Sequence, residues 1–160
     1  RQLAIVKKSL TEKAEEPTKS RTKAANLLQE KMQQMLGPLG MPNARLEVKI
    51  TPQKSPLPKG MDQVTFYFSA NKKSEQRPIA EVASGGEVAR VMLTLKTLIS
   101  EAKQLPTIIF DEIDTGVSGS IANCMAQMMI KMASNHKIQV ISITHLPQIA
   151  AADPMPLPPA

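Results

Sequence analysis

Three short stretches of this chain carry residue types that could bind a phosphate group and activate water. They are VASGGEVAR at residues 82–90, TIIFDEID at residues 107–114 and ISITH at residues 141–145. Each stretch alone is a weak signal, because short glycine, carboxylate and histidine patterns are common. Occurring in this order in one chain, they predict part of a nucleotide-hydrolysing site.

The acidic pair Asp111 and Glu112 follows a short apolar run. A strand that ends on two adjacent carboxylates turns them to different sides, because side chains alternate along a strand. Asp111 could then hold Mg²⁺, directly or through water, while Glu112 orients or deprotonates an attacking water. A purely structural alternative stays open, in which both carboxylates cap the following turn or pair with nearby Lys and Arg.

The glycine doublet opens a predicted helix, in the order Ser84, Gly85, Gly86 and Glu87. Free N–H groups and the positive end of the helix dipole attract anions at such a position, and glycine lets a phosphate approach the backbone. The same four residues fit a capping box, S-x-x-E. Two consecutive glycines lower helix propensity and are not needed for a cap, which favours phosphate binding.

His145 follows an apolar run directly, so its imidazole is expected beside the carboxylates. It could donate a hydrogen bond to a terminal phosphate in the transition state. A serine hydrolase built from Ser118, His145 and Asp111 is disfavoured, since Ser120 stands where the G-x-S-x-G pattern needs its last glycine. None of the seven glycines is followed by lysine, so the phosphate loop G-x-x-x-x-G-K-[ST] is absent from this sequence.

Helix and strand patterns alternate around these residues. Apolar periodicity predicts helices over residues 87–102 and 121–132, and apolar runs predict strands over residues 107–110 and 138–143, the first buried on both faces. This order favours an α/β layer with parallel strands, in which ligands bind at the carboxyl ends of the strands. The acidic pair and His145 both fall at such ends. The residues of the first helix expected to face the core are Val88, Val91, Met92, Leu95 and Leu98.

The N-terminal part has a different pattern. Residues 1–36 carry helical periodicity that Pro17 interrupts, so two helices or one kinked helix are predicted. Alternation over residues 45–50 and 63–68 predicts an antiparallel strand pair, joined by a long, mobile, proline-rich loop. The proline-rich tail after Asp153 is expected to be disordered.

Composition limits the class of protein. A length of 160 residues with 42% apolar content predicts one compact domain. No apolar run is long enough for a membrane span and no leader opens the sequence, so a soluble protein is expected. The single cysteine, Cys124, favours a reducing compartment. The basic excess behind the net charge of +6 lies within residues 1–60, where it could attract nucleic-acid phosphates or form a solvated helix face.

The ordered motifs resemble the C-terminal lobe of ABC-type ATPase heads, in which they are the signature motif, the Walker B motif and the switch histidine. Longer matches at residues 82–93, 110–119 and 144–150 are similar to the RecN family of bacterial DNA-repair proteins, relatives of the SMC proteins. Residues 39–45 are similar to the same family. The resemblance covers roughly residues 20–152, and Pro17 and the proline-rich ending depart from it.

The resemblance implies a head in which an N-terminal segment supplies the phosphate loop, a coiled-coil arm separates the lobes, and two heads sandwich ATP. Asp111, Glu112 and His145 would act on nucleotide in their own head. The residues that would bind ATP across the interface are Ser84, Gly85, Gly86 and Glu87. The residues that would form the loop communicating between the two sites are Asp114, Thr115, Gly116 and Ser118.

We therefore expect three regions: the basic end of a coiled-coil arm at residues 1–36, the C-terminal lobe of an ATPase head at residues 37–152, and a tail at residues 153–160. Because the chain opens on Arg1 inside a predicted helix, we interpret it as a fragment. The fragment is predicted to be inactive alone, because it lacks the phosphate loop. The whole protein would use ATP and Mg²⁺ and act on broken DNA ends without sequence preference. It would be a homodimer with no membrane partner, cytoplasmic and nucleoid-associated.

Two other classes of protein stay open. The nucleotide-binding subunit of an ABC transporter would carry a phosphate loop close upstream and no heptad arm. Many ABC heads carry aspartate near the position of Ser118, so this serine disfavours a transporter. A non-catalytic DNA-binding or dimerisation module would bind DNA with steep salt dependence and would not respond to replacement of Glu112.

Overall fold

A computed structural model of the chain describes residues 2–57, 60–81, 85–117 and 119–152. Contacts divide it into two compact units where composition predicted one domain. The first unit comprises Arg1–Gln33 and Ala44–Val82, and the second comprises Gln34–Asn43 and Ala83–Ala160. Composition sets the amount of apolar surface but not which segments contact each other, and so it could not reveal this division.

The first element, α1, is one α-helix spanning Gln2–Leu36. It continues through Pro17, so the prediction of two separate helices is wrong and the single-helix alternative is correct. A proline forfeits one helical hydrogen bond, a loss that a long helix tolerates when tertiary packing supports it. None of the described helices is both long and apolar enough to cross a membrane.

The antiparallel strand pair is confirmed, and it is longer than predicted. Strand β1 spans Arg45–Leu57 and β2 spans Gly60–Ser69, with partners running from Arg45 opposite Ser69 to Leu57 opposite Gly60. The prediction of a long loop is therefore wrong, because strand pairing reaches Leu57 and Gly60. β1 is an edge strand, and its register shifts between Pro52 and Leu57, which are the conditions under which a strand tolerates proline.

A short third strand, β3, spans Arg77–Pro78 and pairs with β2; a 3₁₀ turn follows at Ile79–Glu81. Two residues show no alternation, so the sequence offered no signal for β3.

Polar contacts join α1 to the sheet inside the first unit. The side chain of Asp62 is almost fully buried and accepts hydrogen bonds from Thr18 Oγ1 at 2.7 Å and Arg21 Nη1 at 3.0 Å. The amide of Val48 donates to Gln29 Oε1 at 2.7 Å, which satisfies a donor on the edge strand. These contacts fix α1 against the strand pair.

The second unit contains the predicted β-α-β arrangement. Its elements are α2 at Gly85–Lys103, β4 at Thr107–Asp111, α3 at Gly119–His136, β5 at Gln139–Ile143 and α4 at Pro147–Ala150. Strands β4 and β5 are parallel, as predicted, and pair from Thr107 opposite Gln139 to Asp111 opposite Ile143. The carboxyl ends of both strands therefore meet at one edge.

The core of the second unit differs from the prediction along α2. Met92 was expected inside but is 40% exposed, while Leu93 and Thr94 are fully buried. Hydroxyl groups on the buried face donate to carbonyls of their own helix, as Thr94 does to Arg90, so polar residues could enter the core where an apolar pattern would not place them.

The parallel sheet is buried on only one face in the described residues, although burial on both faces was predicted for its strand at residues 107–110. Phe110 and Ile108 lie inside, whereas Ile109 is 54% exposed, Ile141 41% and Ile143 51%. Ile109 lies opposite Ile141 in the ladder, so these three side chains form one patch. We call Ile109, Ile141 and Ile143 the isoleucine face.

Candidate functional site

The acidic pair lies at the carboxyl end of β4, as predicted. Asp111 is the last residue of the strand and is exposed. The amide of Glu112 donates to the Ile143 carbonyl at 3.0 Å, and its φ of 46° places Glu112 in the left-handed region, which is uncommon for a residue with a side chain. The Thr115 hydroxyl donates to the Glu112 carbonyl at 2.9 Å and supports this turn.

The structure brings Glu112 and His145 together. Nε2 of His145 lies 2.9 Å from Oε1 of Glu112, and the two side chains are 77% and 56% exposed, the histidine being the more open of the two. Contacts between such exposed groups contribute little to stability, so folding does not depend on this pair. Both groups are accessible to water and to a ligand at the edge of the sheet.

Asp114 faces into its own unit. It is 5% exposed, and its carboxylate accepts hydrogen bonds from the Thr144 hydroxyl and from the backbone N–H groups of His145 and Leu146. Burial by itself raises the pKa of Asp114, but these hydrogen bonds, with one from its own N–H group, outweigh burial and hold the pKa below its ordinary value. The carboxylate is therefore charged at neutral pH.

The two glycines of the doublet have different surroundings. A Cβ on Gly86 would lie 3.0 Å from the Gly116 carbonyl oxygen and 3.5 Å from that of Thr115, so the helix start packs directly on the loop after β4. A Cβ on Gly85 would meet no described atom within 4 Å. Gly86 therefore has a packing role that the sequence did not reveal, whereas a Cβ on Gly85 would be accommodated.

Arg90 is a residue that the sequence analysis did not single out. Its Nε donates to the Gly86 carbonyl and its Nη1 donates to the Leu39 carbonyl, both at 2.9 Å. Gly40, next to Leu39, has a φ of 78°, and a Cβ there would lie 2.9 Å from Ile121 Cδ1. Arg90 thus ties the first turn of α2 to a tightly packed turn, and its position one turn after Gly86 was the available signal.

The remaining predicted residues lie on the segments that flank this edge. Glu87 is half-buried in the first turn of α2, and Thr115 and Gly116 are exposed on the loop after β4. Ser84 and Ser118, which were predicted on the same two segments, lie outside the described residues.

The described residues contain no group of three or more His, Cys, Asp or Glu side chains that could hold a metal ion. Mg²⁺ usually keeps several waters and binds through one or two carboxylates plus substrate phosphates. A single exposed carboxylate such as Asp111 fits that mode, whereas a site made of protein ligands alone does not exist in the described part of the chain.

Comparison with known proteins finds relatives by sequence and similar solved structures, although no family model matches the sequence. The DNA repair protein RecN of Xylella fastidiosa is 36% identical over 140 residues, which is 86% of this chain and 25% of that protein. RecN of Halalkalibacterium halodurans is 41% identical over 138 residues, 84% of this chain and 24% of that protein. The chain spans about a quarter of the length of these relatives.

Solved structures with a similar fold are SMC heads. An Smc head domain with an extended coiled coil from Pyrococcus furiosus, bound to the C-terminal domain of ScpA, has a TM-score of 0.64 and 21% identity, covering 94% of this chain and 35% of that one. A structure described under ATP-driven dimerization and DNA-stimulated activation of SMC ATPases has a TM-score of 0.56 and 21% identity. The match covers 83% of this chain and 74% of that one. The predicted head-lobe fold is confirmed.

Proposed function

Because this chain is RecN-like in sequence and has the fold of an SMC-type ATPase head, we propose that it is the C-terminal part of an ATP-hydrolysing head in a DNA-repair protein. The observation that supports this most strongly is the contact between Glu112 and His145 at the shared carboxyl edge of β4 and β5. Ligands in parallel α/β sheets bind at that edge.

The roles of the three site residues follow from their positions. Asp111 would hold Mg²⁺ together with substrate phosphates, and the bound ion would neutralise charge on the β- and γ-phosphate oxygens. Glu112 would take a proton from the attacking water, which its exposed carboxylate can reach. His145 would donate a hydrogen bond to the charge that develops on the terminal phosphate.

The glycine doublet would act on the nucleotide of a second head. Gly85 stands at the start of α2 with open space around it, so its N–H group and the helix dipole are available to a phosphate. Gly86 packs on Thr115 and Gly116, which gives a direct contact between the ATP-binding segment and the loop proposed to communicate between the two sites. Ser84 and Glu87 would complete the binding segment, and Asp114 and Ser118 belong to that loop. The assembly would be a homodimer of heads around ATP.

The isoleucine face supports a further partner, the N-terminal lobe of the same protein. Three half-exposed isoleucines on one sheet face form an apolar patch of the kind that marks an interaction site. This chain aligns with only about a quarter of the length of the RecN relatives, and the phosphate loop is not in its sequence. We propose that the lobe carrying that loop covers the isoleucine face.

We also propose that the whole protein binds broken DNA. The RecN relatives are named as DNA-repair proteins, and the basic excess within residues 1–60 provides charge that would attract phosphates without sequence preference. A cytoplasmic, nucleoid-associated location follows from that role.

The experiment that tests this function replaces Glu112 by Gln in the full-length gene product. The amide keeps the shape of the side chain but cannot accept a proton, so ATP binding should be retained while turnover falls by about a hundredfold or more. Glu75→Gln, at an exposed position in the first unit, is the control and should hydrolyse ATP normally. Unchanged turnover in Glu112→Gln would refute the base assignment, whereas the absence of ATP turnover in the parent full-length protein would favour a non-catalytic DNA-binding module.

A further inference from the structure

Asp114 makes contacts that a turn residue does not need. The turn after β4 is closed by backbone hydrogen bonds from Thr115 to Glu112 and from Val117 to Asp114. The Asp114 side chain instead reaches the segment after β5, where Thr144 Oγ1 donates to Oδ2. The amides of His145 and Leu146 donate to the same carboxylate.

A buried carboxylate is costly unless hydrogen bonds compensate for the lost hydration. Asp114 is 5% exposed and has that compensation from the Thr144–Leu146 segment, 30 residues further along the chain. The amide of Leu146 also donates to Thr144 Oγ1 at 3.0 Å. The Thr144 hydroxyl therefore links the backbone of its own segment to the Asp114 carboxylate.

The imidazole of His145 has no comparable support from packing. Its side chain is 77% exposed, and its ring nitrogen Nε2 contacts the carboxylate of Glu112, which is also exposed, at 2.9 Å. The position of an exposed side chain with little packing is determined by its backbone. The backbone of His145 is held by Asp114.

We propose that Asp114 is a positioning residue for His145, acting through the Thr144–Leu146 segment, and that it thereby sets the Glu112–His145 contact. The effect on turnover rests on the proposed ATPase function, whereas the effect on the segment itself does not. In this role the carboxylate acts through the backbone of the Thr144–Leu146 segment and not by direct contact with the nucleotide. It fixes the place from which His145 reaches the phosphate.

The kinetic test uses Thr144→Val in the full-length protein, which removes the hydroxyl and keeps the branched shape. The turnover number should fall by about tenfold to a hundredfold with KM for ATP unchanged, since misplacing a catalytic group costs that much. Thr144→Ser, which keeps the hydroxyl, should restore most of the turnover. Thr107→Val is the matched control, because Thr107 Oγ1 donates to Gln139 Oε1 at 3.1 Å and so links the amino ends of β4 and β5, at the other end of the strands from the site.

A second measurement separates positioning from general destabilisation. In a His145→Ala background, Thr144→Val should lower turnover no further, because the residue through which it acts is already gone. An additional loss of about tenfold in that background would overturn the proposal, since the hydroxyl would then act independently of His145.

Hydrogen exchange decides the structural part without reference to ATPase activity. Amide exchange in a peptide containing His145 and Leu146 should accelerate by about tenfold in Thr144→Val and in Asp114→Asn, and stay unchanged in Thr107→Val. Unchanged exchange in both site variants would overturn the proposal. If the full-length protein hydrolyses no ATP, the proposed function fails, while the exchange rates still show whether Asp114 holds the segment.

Discussion

Gly86 lies so close to Gly116 that a Cβ on Gly86 would stand 3.0 Å from the Gly116 carbonyl oxygen. Gly116 itself has a φ of 74°, which favours glycine at this turn. The start of α2 and the loop after β4 therefore meet backbone to backbone. Any movement of one segment along this contact must be accommodated by the other, which supports the communication proposed between the ATP-binding segment and the loop beside the acidic pair.

This contact predicts opposite outcomes for two neighbouring substitutions. Gly86→Ala should destabilise the protein by about 1–3 kcal/mol, because the methyl group meets a backbone carbonyl that cannot rotate away. Gly85→Ala should leave stability unchanged or raise it by roughly 0.5–1 kcal/mol, because its surroundings are open and alanine favours a helix.

Urea unfolding of both variants measures this difference, and each serves as the control for the other. Gly85→Ala should still weaken ATP-dependent dimerisation of the full-length protein, since the methyl group occupies the space proposed for phosphate. Equal unfolding free energies for the two variants would contradict the packing role of Gly86.

Arg90 should be sensitive even to lysine. Its guanidinium donates to Gly86 and Leu39 carbonyls at the same time, and an ammonium group on a flexible stem cannot reproduce that fork. Arg90→Lys should lower the free energy of unfolding by about 1–2 kcal/mol, and Arg90→Ala by more. Arg77→Lys, at an exposed position on β3, should change it by less than about 0.5 kcal/mol in the same denaturation experiment. An Arg90→Lys variant as stable as the parent chain would show that the two carbonyl contacts are dispensable.

The parts of the site that sequence predicted are those that depend on local pattern. The apolar run before Asp111 and the one before Thr144 identified two parallel strands, and their shared edge then placed Glu112 near His145. The inward direction of Asp114 depends on a segment 30 residues away, and no local pattern carries that information.

In the first unit, too, the wrong predictions are those that depend on distant contacts. The helical period of residues 1–36 predicts a helix, but whether Pro17 breaks it depends on tertiary support that the local sequence does not contain. The prolines of β1 predict a loop, because proline is unfavourable inside a sheet. Only the pairing with β2 shows that β1 is an edge strand with a shifted register, where proline is tolerated.

Asp114 should also make stability depend on pH in the acid range. Its folded-state pKa lies below the ordinary value of 3.8, so its stabilising effect is fully present above that value and is lost as the pH falls through the folded-state pKa. The free energy of unfolding should therefore decrease below about pH 4, and Asp114→Asn should decrease less steeply than the parent chain. Parallel pH profiles for Asp114→Asn and the parent would show that the buried hydrogen bonds do not favour the charged carboxylate.

The isoleucine face leads to a prediction about the chain by itself. The 160 residues contain the acidic pair and the glycine doublet but no phosphate loop, so the isolated chain should show no ATP turnover. Co-expression with the remaining part of the gene product should give a complex that hydrolyses ATP.

Ile109→Lys should prevent association of these two parts, because burying an unpaired ammonium group in an apolar interface is strongly unfavourable. It should cost the isolated chain little stability, since Ile109 is 54% exposed there. Val64→Lys, at a 37% exposed position in the first unit, is the matched control and should leave the complex intact. Robust turnover by the isolated chain would contradict the need for a second lobe, and an intact complex with Ile109→Lys would place the partner on a different surface.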